Sequence, residues 1–87
     1  MRPVFVLIKC QLGKTYEVAD AIVDDIDKTA EIYSISGNYD LLVRFNLGED
    51  DDIGRFVCDT VQTVPNIRDT STLIGFRLFT GPDRLGG

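Results

Sequence analysis

The chain has 87 residues, two cysteines, no histidine and a formal net charge of −5. That length holds one domain, and its core is marginal unless disulfides, a metal or oligomerisation adds to it. The missing imidazole removes the common zinc and haem sites, and nine scattered basic residues make the domain a poor binder of nucleic acid on its own.

Residues 3–11 contain Val4, Phe5, Val6, Leu7, Ile8 and Cys10, a β-branched-rich run that predicts a strand. The run is too short to cross a membrane, and residues 1–3 ahead of it lack a signal-peptide pattern. The chain therefore reads as soluble and cytoplasmic. After a break at residues 12–14 the period changes. Tyr16, Ala19, Ile22, Val23 and Ile26 recur at spacings of three and four, which predicts an amphipathic helix from Thr15. Glu17 and Asp20 favour its N-terminal dipole, whereas Asp24, Asp25 and Asp27 oppose it at the other end.

Residues 31–36 alternate and predict a second strand. Gly37-Asn38 is a turn dipeptide, and residues 39–47 predict a third strand that forms a hairpin with the second. The acidic run at residues 49–52 precedes a second helical stripe of Ile53, Phe56, Val57, Val61 and Val64. Asp there caps a helix, and the run lacks the ligand spacing of a calcium loop. Pro65 and Asn66 stop the helix. Residues 67–80 predict the last strand, with Gly75 as a bulge and residues 81–87 as a mobile tail. Cys10 and Cys58 each lie in an apolar run and read as small core residues, so oligomerisation, more than a disulfide, is expected to add burial.

Strand–helix–strand twice over residues 1–87 is a single α+β domain of the ferredoxin-like βαββαβ type. It has a four-stranded antiparallel sheet with two helices on one face. The other face should be polar if water covers it. Yet the first strand is apolar on both sides, with Val4, Val6 and Ile8 pointing one way and Phe5 and Leu7 the other. The expectation is a second copy packed sheet to sheet on Phe5 and Leu7, giving a dimeric α+β barrel.

Two constellations are candidate ligand sites. Gly37, Asn38, Tyr39 and Asp40 gather a carboxylate and a glycine at a hairpin tip. Asp40 can accept from an ammonium group, and N–H groups beside Gly37 can hold a carboxylate. The competing reading is a plain turn, which spacing alone favours. Thr70 and Thr72, with Asp69 and Ser71, place hydroxyls along the last strand, equally explained as β-forming residues on a wet face. No nucleophile–base pair, phosphate loop or dinucleotide fingerprint is present, so no catalytic residue, metal or cofactor is assigned.

Taken in order, Ser36-Gly37-Asn38-Tyr39-Asp40-Leu41-Leu42-Val43 after a strand and Pro65-Asn66-Ile67, Thr70 and Thr72 after a helix resemble the effector-binding domain of the Lrp/AsnC family of transcription regulators. The resemblance covers a core of about residues 4–79. Family members usually carry a helix-turn-helix domain ahead of this one; nothing precedes the first strand here except residues 1–3, so the resemblance is to the stand-alone form. The family resemblance implies dimers through the sheet faces assembling into a ring such as an octamer. It also implies an amino-acid effector bound between dimers near Gly37, Asn38, Tyr39 and Asp40, with Thr70 and Thr72 from the same or a neighbouring subunit. Two functions compete. One is an oligomeric amino-acid-binding regulatory module, with no nucleic acid or membrane partner of its own. The other is a subunit that co-assembles with full-length Lrp/AsnC regulators and modulates their DNA binding. A small α+β-barrel monooxygenase is a third, weaker reading, because histidine and tryptophan are missing.

Overall fold

Alternate residues of each strand go to opposite sides of one sheet, and the helices cover only one of those sides. The computed structural model describes residues 2–78. The chain runs β1 (Arg2–Cys10), α1 (Thr15–Asp25), β2 (Thr29–Ser34), β3 (Leu41–Leu47), α2 (Ile53–Phe56) with a π-helical continuation (Val57–Val61), and β4 (Ile67–Ile74). The strand order is β2-β3-β1-β4, and every neighbouring pair is antiparallel. This is the expected ferredoxin-like architecture. The last strand stops at Ile74, short of the expected residue 80, and residues 75–78 are not in a strand; residues 79–80 and the tail at 81–87 lie outside the described residues.

The core sits between the sheet and the helices. Val4, Val6, Ile8 and Cys10 of β1 and Leu41, Val43, Phe45 and Leu47 of β3 are all buried on this side. Val18, Ile22 and Ile26 face them from α1, and Val57, Val61 and Val64 from the second helical segment. Phe45 and Phe56 meet edge to face at 5.0 Å, a contact that fixes α2 on β3 and adds about 0.5–1.5 kcal/mol beyond burial. Asp52 caps α2 by accepting from the Arg55 N–H at 3.1 Å, as the capping reading of the acidic run requires. Its neighbour Asp51 accepts from the Gly48 N–H at 2.7 Å and from Lys28 Nζ at 3.1 Å. Those two donors hold the Asp51 carboxyl below its ordinary value, the Gly48 N–H foremost.

Several expectations are corrected. In α1 the core stripe is Val18–Ile22–Ile26; Tyr16 and Val23 are exposed, because they lie on the flank of the helix, away from the sheet. Cys10 is a buried core residue, but Cys58 is exposed on the outer side of the π-helical turn, and both thiols are free. Gly75 is no bulge. It follows the end of β4, where a Cβ would come within 3.0 Å of the Phe5 ring, so its small size lets the backbone lie on that ring. The irregularity in the β1–β4 ladder falls between Lys9 and Cys10.

Candidate functional site

Three hydrogen bonds converge on Asp40: two anchor the link between β2 and β3 to the end of β1, and one closes the link on itself. The Asp40 N–H donates to the Ile8 carbonyl at 2.8 Å, the Ile35 N–H donates to the Asp40 carbonyl at 3.0 Å, and the Cys10 N–H donates to Asp40 Oδ2 at 2.7 Å. Backbone groups two residues apart in a strand point to the same side, so the Cys10 N–H faces the β3 side like the Ile8 carbonyl and meets the Asp40 carboxylate there. Gly37, at φ +106°, supplies the left-handed turn that brings the chain back. Lys9 Nζ donates to the Asn38 carbonyl at 3.0 Å and ties the tip of the loop to β1. Gly37 and Asn38 are exposed, and Tyr39 and Asp40 half-buried. Burial raises the Cys10 thiol above its ordinary value, and the Asp40 charge beside it adds to the rise.

Asp40 is therefore both a turn residue and an acid. One oxygen is committed to the Cys10 N–H, and the other has no hydrogen-bond donor among the described residues. Ammonium-type ligands are well matched to such a carboxylate, since a charged donor on a charged acceptor forms the stronger class of hydrogen bond.

Thr70 and Thr72 are placed differently. The register sets Thr70 opposite Ile8 and Thr72 opposite Val6, so both take the helix side of β4, at the outer edge of the sheet. Thr70 Oγ1 accepts from Gln62 Nε2 at 2.8 Å, and its N–H donates to Asp69 Oδ1 at 2.9 Å. Gln62, Ile67, Arg68, Asp69 and Thr70 line a cleft of about 280 Å³ there. Leu41, Ile8 and Thr70 form one row across β3, β1 and β4. At ~4.8 Å per strand the row is roughly 10 Å long, and the fully buried Ile8 side chain stands in its middle. One subunit thus brings Gly37, Asn38, Tyr39 and Asp40 together, and Thr70 and Thr72 together, but keeps the two groups apart.

Lys9, Cys10 and Gln62 are the site residues that spacing did not reveal. Each acts through register or through a helix-to-strand contact, and neither leaves a local pattern in sequence. Among the described residues no three His, Cys, Asp or Glu side chains are grouped to hold a metal, and no helix is long and apolar enough to cross a membrane.

Comparison with known proteins adds the following. The model of the Lrp/AsnC ligand binding domain matches residues 3–79. No curated protein sequence matches the chain. The crystal structure of FFRP-DM1 is 29% identical, with a TM-score of 0.79 over 87% of this chain and 100% of that one. Escherichia coli AsnC is 25% identical, with a TM-score of 0.74 over 87% of this chain and 51% of that one. The transcriptional regulator NMB0573 of Neisseria meningitidis, solved as a complex with L-Met, has a TM-score of 0.76 over 92% of this chain and 53% of that one. At 15% identity its likeness is one of fold.

Proposed function

This chain belongs to the Lrp/AsnC ligand binding domain family, and from that membership we propose that it binds an amino acid or a closely similar small molecule as an oligomeric regulatory module. The observation that carries the site is the anchoring of the β2–β3 link at the end of β1, with one Asp40 oxygen held by the Cys10 N–H and the other left over. The free oxygen accepts the ligand's ammonium group. Backbone N–H groups beside Gly37 receive its carboxylate. Because Ile8 separates the two groups of candidate residues within a subunit, Thr70 and Thr72 serve a site completed by a neighbouring subunit. The L-Met complex of a regulator with the same fold agrees with a ligand of this class. Sheet-to-sheet dimers on Phe5 and Leu7, assembled into a ring, bring subunits into that relation.

Thermal unfolding of the full chain against the twenty amino acids tests the reading. A ligand at 100 times its dissociation constant stabilises the folded state by about 2.7 kcal/mol, which for a domain of this size raises Tm by roughly ten degrees or more. Asp40→Asn keeps an acceptor for the Cys10 N–H and removes the charge. It is expected to retain the unliganded Tm and lose the shift. Absence of a shift with every amino acid overturns the reading for this ligand class.

The fold shared with AsnC supports a second reading. A regulator that carries this domain in about half of its length presents the same faces to a partner. The chain then joins such regulators in mixed rings and alters their DNA binding. A mixture of the two purified proteins that yields only homo-oligomers excludes this for the pair tested.

A further inference from the structure

The sheet side away from the helices carries more than an apolar patch. The register places Glu31, Arg44, Phe5 and Leu73 in one row across β2, β3, β1 and β4, and Tyr33, Leu42, Leu7 and Ser71 in the next. Arg44 Nε donates to Glu31 Oε1 at 2.7 Å, and Arg44 Nη1 to Asn46 Oδ1 at 3.3 Å. The Tyr33 hydroxyl donates to Glu31 Oε2. Both oxygens of the carboxylate are therefore occupied by groups of the same face. The Arg44 and Glu31 side chains are still 32% and 43% exposed, so a covering layer has water to remove from them. At the end of the face Lys9 stands opposite Asp69. Strand residues on this side thus contribute two cations and two anions, and the chain's five excess negative charges lie elsewhere.

We propose that the Glu31–Arg44–Tyr33 cluster is the matching element by which this face accepts a second copy of the same chain and rejects other faces. The proposal rests on the sheet-to-sheet pairing argued above. Two molecules that each carry −5 repel at long range, but a face of zero net charge lets them approach along it. Once the partner sheet removes the water, an intact ion pair roughly breaks even against its desolvation, whereas a single charge left without its partner is strongly unfavourable. The cluster contributes selectivity more than affinity. The apolar residues beside it, Phe5, Leu7, Leu42 and Leu73, supply the attraction.

Sedimentation velocity of the full chain over a concentration series, with thermal unfolding to verify folding, tests this through two charge reversals. Glu31→Arg makes the face +2, and Arg44→Glu makes it −2. Each variant alone is expected to raise the dimer dissociation constant on the order of 30-fold or more. An equimolar mixture is expected to recover a dimer holding one of each, which a purely intrasubunit role for the cluster does not produce. If a reversal fails to fold, Glu31→Gln and Arg44→Gln replace it. Each is then expected to weaken the dimer, and the double variant to return toward the wild type. Variants that dimerise like the wild type, or a mixture that stays monomeric, overturn the inference while leaving sheet pairing intact. A dimer unaffected by Leu7→Asp instead removes the sheet-pairing reading beneath it.

Discussion

The two sides of the sheet are built from alternate residues of the same strands, under the same backbone geometry, and they end in opposite conditions. On the helix side Val4, Val6, Ile8, Val43 and Phe45 are 0% exposed, and among the described residues no polar or charged side chain is buried. On the other side Phe5, Leu7 and Leu42 are half-buried, Leu73 is half-exposed, and an ion pair and a phenol lie among them. Strand propensity does not distinguish these sides; only what packs across them does. The helix side is a finished core. The open side sets partly exposed apolar residues beside one matched ion pair, with no second layer among the described residues of this subunit over them.

The largest effect expected from breaking this comparison is on the finished side. Phe45→Ala removes a fully buried ring that also holds Phe56, and is expected to cost about 3–5 kcal/mol, read as a lower urea midpoint with an unchanged m-value. A loss below about 1 kcal/mol would mean that the helix layer is not closed on β3.

Leu7→Asp strikes the same central strand on its other side. The monomer is expected to remain folded by circular dichroism, because Leu7 contributes little to the helix-side core. Association is expected to weaken by at least about 100-fold in light scattering, since a dimer would have to bury an uncompensated carboxylate. A wild type that is monomeric at micromolar concentration contradicts the pairing directly.

The smallest effect is one of pH, and it sharpens the contrast because no carboxylate lies in the buried core. The Tyr33 hydroxyl and then the Arg44 guanidinium hold Glu31 below its ordinary value. A carboxyl depressed by folding stabilises above its unfolded pKa of about 4.3, and that contribution is lost as pH falls through the lower folded value. Glu31→Gln is therefore expected to unfold slightly earlier than wild type at pH 7 and to converge with it only as pH falls through the lower folded value. A constant difference across that range would assign the effect to packing.

Much of this contrast was readable before any coordinates. Simple alternation in residues 4–8 and 41–47 marked both sides of β1 and β3, and turn chemistry at Gly37 and Pro65 separated the elements in the right order. Reading failed where apolar residues exceeded the core's needs. In α1, Tyr16 and Val23 are as apolar as Val18, and periodicity alone cannot say which flank meets the sheet. Cys58 misled similarly, because the π-helical turn sets the phase of that segment differently from a regular helix. At the candidate site the turn residues were legible, since glycine and aspartate signal locally. The partners Lys9 and Cys10 were not, because they come from a strand about thirty positions away, and only the pairing of β1 beside β3 brings them to the turn.

The position of β1 in the middle of the sheet also has a consequence for how the chain folds. The strand nearest the N-terminus pairs only with β3 and β4, and never with β2, its successor in sequence. Its hydrogen bonds span roughly thirty to seventy residues, and each requires closure of a long loop before any pairing rewards it. The β2–β3 hairpin and α1 close only short stretches of chain, whereas β1, and β4 which pairs with β1 alone, depend on the long closures. Most of the pairing made by β1 and β4 is therefore non-local, and a folding rate slower than that of helical proteins of this size is its kinetic mark.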